Sequence, residues 1–239
     1  MIKPKIILFS AGLILLLGLT FDKEKLSSSD TPIAIVKKVV KDVTYRKATD
    51  DVDWEEAKIS TQLFAGGEVK TGSKSLAVVL FTDGSGVLRV RENSILNIYG
   101  EKKDKNLNKN TVITKGVVGF DVNKQSEEEE FKFTTPTAVA SIRGTNGFVG
   151  HDDLDSVTTI FVRRGNVGFT TSNGNQGNVN GGFTARINPD GSFFLETSTD
   201  NDNNLFRQTN RTQVKKLRMR TNDGVVEIEY LTTPEGNQE

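Results

Sequence analysis

Along most of the chain, apolar residues recur at every second position in short runs separated by Gly, Asp, Asn and Pro. This is the pattern of half-buried strands joined by tight turns. Residues 131–148, FKFTTPTAVASIRGTNGF, set it out most fully. Phe131-Lys132-Phe133-Thr134 alternates as a strand, and Pro136 then stops or bulges the pairing, since it has no N–H to give and holds Thr135 extended. Ala138, Val139, Ala140 and Ile142 are small or branched apolar residues suited to a cramped interior. In Arg143-Gly144-Thr145, Gly144 is expected to adopt a backbone conformation closed to other residues. The Arg143 guanidinium at that turn is expected to clamp a chain crossing by binding carbonyls or a carboxylate.

Strands are predicted at 33–36, 39–40 and 43–45, before a charged excursion carrying Trp54. Residues 63–72 are turn-rich. Residues 76–81 and 86–91 flank Thr82-Asp83-Gly84-Ser85, and an Asp-Gly pair between two β-branched runs is a strong hairpin signal. Asn93-Ser94 breaks the chain before a strand at 95–99. Residues 101–110 read as a charged loop, and 111–122 as a turn-and-strand unit punctuated by Gly116 and Gly119. Further on, 158–162 and 167–171 bracket a turn at 163–166, 172–182 reads as an Asn/Gly-rich loop, and 183–187 and 192–196 flank Pro189-Asp190-Gly191. Beyond a polar linker at 197–212, the basic Lys216, Arg218 and Arg220 and the acidic Glu227 and Glu229 are expected to face each other across a hairpin at 213–231, leaving a tail at 232–239.

Residues 1–5 are short and basic and residues 6–21 are apolar without a charge, the layout of an export signal. It is either cleaved after Thr20 or kept as an inner-membrane anchor through 6–21, with Lys23 and Lys25 beside it. The basic arm stays on the cytoplasmic side, so everything after about Lys23 is expected to be exported. A linker over 22–32 follows.

Composition narrows the chemistry. Among 239 residues, Lys+Arg and Asp+Glu are equal at 31 each, which favours no nucleic acid partner. The chain has no cysteine, hence no disulfide or thiolate nucleophile, and a single histidine excludes a multi-histidine metal cluster. Asp83-Gly84-Ser85 reads as a turn, since no G-x-S-x-G elbow accompanies it. His151-Asp152-Asp153-Leu154-Asp155 lacks the glycine and distal Glu of a calcium loop, and with the acidic run 127–130 it reads as solvated loop. No catalytic, metal or cofactor residue is assigned.

In their order and spacing, several of these segments resemble the FecR domain family of bacterial envelope proteins. The matching positions are Trp54, Leu63, Gly67, Lys70-Thr71-Gly72, Ser75, Leu80-Phe81-Thr82-Asp83-Gly84-Ser85, Asn93-Ser94, Gly116-Val117-Val118, Thr134-Thr135-Pro136-Thr137-Ala138, Ile142-Arg143-Gly144-Thr145 and Gly165-Asn166-Val167. The resemblance covers about 35–170 within a β domain at 33–196. It implies an all-β fold, a solenoid-like stack of short strands, while turn spacing alone also permits a β-sandwich. Well-known members sense iron-uptake signals, gripping a sigma factor in the cytoplasm and meeting an outer-membrane transporter in the periplasm. Here only residues 1–5 are expected on the cytoplasmic side, too few for a sigma-binding module, and the C-terminal piece is a lone hairpin. The expected protein is therefore a non-enzymatic binding or sensory module whose partner is an envelope protein or glycan. A regulator in cell-surface signalling and an envelope-polysaccharide enzyme are the alternatives.

Overall fold

The structure, a computed structural model, describes residues 31–48, 53–103, 106–124, 129–221 and 224–233. The signal or anchor expected over 1–21 lies outside them. No helix among the described residues is long and apolar enough to cross a membrane.

The chain opens with β1 (Ala34–Val40), β2 (Val43–Arg46), β3 (Glu55–Glu56), β4 (Gln62–Leu63), β5 (Gly67–Thr71), β6 (Leu76–Phe81) and β7 (Gly86–Val90). Two long strands follow, β8 (Ile95–Lys103) and β9 (Asn106–Val122), then β10 (Phe131–Thr134), β11 (Ala138–Ile142), β12 (Asn146–Asp152) and β13 (Val157–Arg164). The remainder is β14 (Asn166–Thr171), β15 (Gln176–Asn180), β16 (Phe183–Ile187), β17 (Phe193–Thr197), helix α1 (Asp200–Thr209), and the hairpin β18 (Gln213–Thr221) and β19 (Gly224–Thr232).

Apart from that hairpin, the strands form one 17-stranded system in two layers. The first layer runs β4-β1-β6-β7-β9-β12-β13-β16-β17. The second runs β3-β2-β5-β8-β9-β10-β11-β14-β15. All neighbours are antiparallel except β9 and β10, which are parallel. Strand β9 belongs to both layers. Up to Lys115 it pairs with β8, and from Gly116 it pairs with β7 and β12. Gly116 makes the change of layer with φ of +90°, a conformation that a side chain disfavours.

The layers pack face to face around a continuous apolar core. Alternation sends one side of each strand inward: in β11, Ala138, Ala140 and Ile142 are buried while Val139 and Ser141 face out. Val139 is thus no part of the interior expected for this stretch. Aromatic contacts join the layers at Phe81 and Phe131 (5.1 Å between ring centroids), Phe120 and Phe133 (5.3 Å), and Phe169 and Phe193 (5.0 Å). Burying each such ring contributes about 2–3 kcal/mol, against the entropy of ordering the chain.

Three segments differ from the sequence reading. The charged loop at 101–110 continues the β8/β9 ladder, which keeps its register from Tyr99↔Asn110 to Lys103↔Asn106, because a hairpin extension needs no apolar face to keep its backbone bonds. Within the loop at 172–182, β15 pairs with β14; Val179 alone of its residues is buried, so cross-strand pairing overrides a composition poor in β-formers.

The linker at 197–212 contains helix α1. Its start is a capping box: Thr199 Oγ1 accepts the Asp202 N–H at 3.2 Å and Asp202 Oδ2 accepts the Thr199 N–H at 2.9 Å. The helix covers the outer face of the first layer, where Phe148 and Phe161 are paired in register. Their rings stack at 5.1 Å, and Phe206 of α1 stacks on Phe161 at 5.2 Å. Close approach requires Gly119 below the helix end, since a Cβ there would lie 2.7 Å from the Thr209 Cβ. Phe206→Ala is expected to lower stability by about 3 kcal/mol, read from the urea midpoint at unchanged slope.

Candidate functional site

Most of the expected signature residues occupy corners where the chain leaves one layer for the other. At the first corner the buried Thr71 hydroxyl accepts the Ser94 N–H at 3.0 Å and donates to the Arg91 carbonyl. The Ser94 Oγ accepts the Val117 N–H at 3.0 Å, holding β8 to β9 just past Gly116. A Cβ on Gly116 would run into that Ser94 side chain. Gly72 donates to the Asp42 carbonyl at 2.8 Å and accepts the Asn93 N–H at 3.1 Å, and Asn93 itself has φ of 54°. At Gly67, a Cβ would lie 3.0 Å from the Phe64 carbonyl.

A second corner repeats the device. Thr145 exchanges backbone bonds with Val122, and its hydroxyl lies 3.1 Å from the Arg143 carbonyl and 3.2 Å from the Asn166 carbonyl. Gly144 has φ of 63° and Gly165 φ of 96°; a Cβ on Gly165 would lie 3.0 Å from the Thr145 Oγ1. Arg143 is exposed, and the Thr145 bonds help to tie this crossing.

At the opposite end, Pro136 lies in the reversal between β10 and β11, closed by the Thr135 N–H to the Ala138 carbonyl at 2.8 Å. The Ala138 N–H returns to the Thr135 Oγ1 at 3.1 Å. From there a buried hydroxyl chain runs inward: Thr158 donates to Thr135 at 2.8 Å and accepts from Thr137 at 2.6 Å. Nδ1 of His151 is 3.0 Å from the same Thr158 oxygen. With that hydroxyl's only proton given to Thr135, Nδ1 is assigned as a donor. His151, read from sequence as part of a solvated turn, is 4% exposed. Burial pushes its pKa down, partly opposed by Asp152 and Asp153.

One further expected signature position, Asp83, cross-braces the layers, and another, Trp54, packs on one of them. Asp83, in the turn after β6, accepts the Ser85 N–H at 3.0 Å and pairs at 2.7 Å with the fully buried Nζ of Lys109 from β9. Gly84 beside it has φ of 72°. Burial alone would raise the Asp83 carboxyl's pKa, but the bonds from Lys109 and Ser85 and the Lys109 charge outweigh it and hold the pKa below the usual value. Trp54 lies over the outside of the second layer with the Arg46 guanidinium 4.8 Å and the Lys70 Nζ 5.5 Å from its ring centre. Arg46 also pairs with the buried Glu68, to which Asn97 donates.

A groove beside the start of α1 is lined by Asp152, Asp153, Asp155 and Asp202. Asp153 pairs with Lys115 at 2.7 Å, and that bond lowers its pKa. Asp202 would be raised by burial, but its bonds to Thr199 and Arg186 prevail and lower it. Both shifts run opposite to the one that a general acid requires.

What remains open to a partner is an edge and a face. The layers begin in the two-residue strands β3 and β4 and end in the five-residue strands β15 and β17. Among the described residues, strand β17 pairs with β16 alone, and on it Phe194 is 65% and Leu195 45% exposed. In the terminal hairpin, Lys216 and Arg218 bond Glu227 and Glu229 on one face, while Leu217, Met219, Val226 and Ile228 are exposed on the other. The sequence pattern already pointed to that hairpin and its charge pairing. The β17 edge was not legible, because edge and centre strands share one alternation.

Asp83→Asn should cost about 3 kcal/mol near neutral pH by removing the carboxylate that pairs with the buried Lys109. A carboxyl whose pKa is lowered on folding contributes stability that is complete above its unfolded value near 3.9 and lost as pH falls through the folded one. Urea titrations should accordingly show the gap between wild type and variant narrowing as pH drops below about 4.

The comparisons agree with this frame. Residues 67–168 match the FecR protein family, a span from Gly67 to Gly168 that holds both corners and leaves Trp54 outside. Two crystal structures of a "putative anti-sigma factor" from Parabacteroides distasonis ATCC 8503 superpose with a TM-score of 0.51 at 16% identity, covering 64% of this chain and 68% of that one. At that identity the likeness concerns the fold. No curated protein matches the chain. Both Gly-punctuated corners, with their buried Thr and Ser hydroxyls, lie within the stretch that matches the FecR protein family.

Proposed function

We propose that the protein is a non-enzymatic binding module of cell-surface signalling, working in the bacterial envelope outside the cytosol. Its partner, an envelope protein, adds a strand to β17. The observation that carries this reading is the contrast between the two ends of the layers: one is blunted by two-residue strands, whereas the other presents a five-residue edge with Phe194 and Leu195 exposed. Exposed edges of this kind template pairing with another chain, and backbone bonds then give affinity while side-chain pockets give selectivity.

The FecR match and the regulatory name of the similar structures support the signalling role. The basic and apolar N-terminal residues support export, either with release or with anchoring through 6–21. The non-enzymatic reading is supported by the same family match and by the regulatory name of the similar structures.

The chain has no native cysteine, so a single cysteine can report on one position. Leu195→Cys and Thr197→Cys should cross-link a partner in intact cells, whereas Glu55→Cys at the blunted end should not. Adding Phe194→Ser to the reporter should remove the adduct without moving the melting temperature. Equal capture from both ends, or capture of nothing, would discard the strand-addition reading.

A further inference from the structure

The C-terminal hairpin meets the β layers across a cavity of about 350 Å³. That is near the lower end for small-ligand sites and far too small for a folded partner. Four cations line it: Lys41 after β1, Lys74 before β6, Arg91 at the end of β7, and Arg211 after α1. None of the four forms an ion pair among the described residues.

Both acids that line the cavity are engaged. The Glu92 carboxylate accepts the Lys74 backbone N–H at 2.6 Å, and Glu229 pairs at 2.7 Å with Lys216. The Arg91 guanidinium is half-buried and donates to the Arg211 carbonyl at 3.4 Å. Burial lowers its pKa; Glu92 opposes this and the like charge of Arg211 adds to it. Val214, Tyr230 and Leu231 of the hairpin supply an apolar wall opposite. Gathering like charges around a partly apolar hollow is unfavourable until an anion enters it.

We propose that this cavity binds a small anion, a carboxylate or phosphate group carried on an apolar body, and that the bound anion ties the C-terminal hairpin to the β layers. The acid group sits among Lys74, Arg91 and Arg211, and the apolar body packs on Tyr230. An isolated two-stranded hairpin is marginally stable, so a ligand touching both it and the layers shifts it toward the docked state. This site is separate from the β17 edge, and neither test decides the other.

Calorimetric titration of the full chain with isophthalate, phenyl phosphate and inorganic phosphate tests the proposal. At least one ring-bearing anion is expected to bind with a Kd of about 1 mM or lower and at least roughly five-fold tighter than inorganic phosphate. The tighter of the two names the acid group. Lys74→Gln combined with Arg211→Gln, which removes no side-chain hydrogen bond or ion pair among the described residues, should weaken binding roughly ten-fold or more. Tyr230→Ala should weaken the ring-bearing anions and leave inorganic phosphate unchanged; Lys132→Gln, remote from the cavity, should alter nothing. Saturating ligand should also slow tryptic cleavage within the hairpin. Three results overturn the proposal: no binding of either ring-bearing anion by about 10 mM, inorganic phosphate binding as tightly as both, or Lys74→Gln/Arg211→Gln behaving like Lys132→Gln.

Discussion

The architecture depends on one backbone serving two layers. Strand β9 leaves one sheet and enters the other at Gly116, and every such crossing buries peptide groups that no ladder can reach. An unpaired buried N–H or carbonyl costs about 1–3 kcal/mol, so a corner persists only where another group supplies the bond. Here the suppliers are the short hydroxyl side chains of Thr71, Ser94 and Thr145, reaching backbone atoms that lie 3.0–3.3 Å away. Longer polar side chains would not fit, as the near-contacts of absent Cβ atoms at Gly116 and Gly165 make plain.

The residues singled out by the family resemblance serve these turns. Thr71, Gly72, Asn93, Ser94, Gly144, Thr145 and Gly165 face other parts of the same chain, and Asp83 is bound to Lys109. They describe how to turn a corner, and a protein can keep them while changing what it binds. Surfaces available for recognition lie elsewhere: at the β17 edge, on the open face of the terminal hairpin, and in the cationic cavity below it.

Strands with alternating patterns were legible from sequence, among them Phe131–Thr134 and the basic-against-acidic hairpin, because period-two burial leaves a direct trace. Elements that depend on distant partners were not. Strand β15 shows a single inward apolar residue and exists through its pairing with β14. Helix α1 carries a readable start in Thr199-x-x-Asp202, yet its apolar contribution is little more than Leu205 and Phe206, and what it covers, Phe148 and Phe161, looks like ordinary strand interior in one dimension. The environment of His151 was hidden likewise, since its partner Thr158 lies on β13 and the Thr135 and Thr137 hydroxyls bonded to it come from the β10–β11 reversal.

The parallel contact between β9 and β10 has a bearing on how the molecule is made. Antiparallel neighbours can zip from a local turn, but a parallel pair waits until the chain has travelled back to its starting level, and β9 also awaits β12 from further along. Closing such distant loops first is entropically slow, so neither half gains its full set of hydrogen bonds until most of the polypeptide has emerged. A late-assembling chain stays extended for longer, which is the state in which a polypeptide can thread a narrow pore.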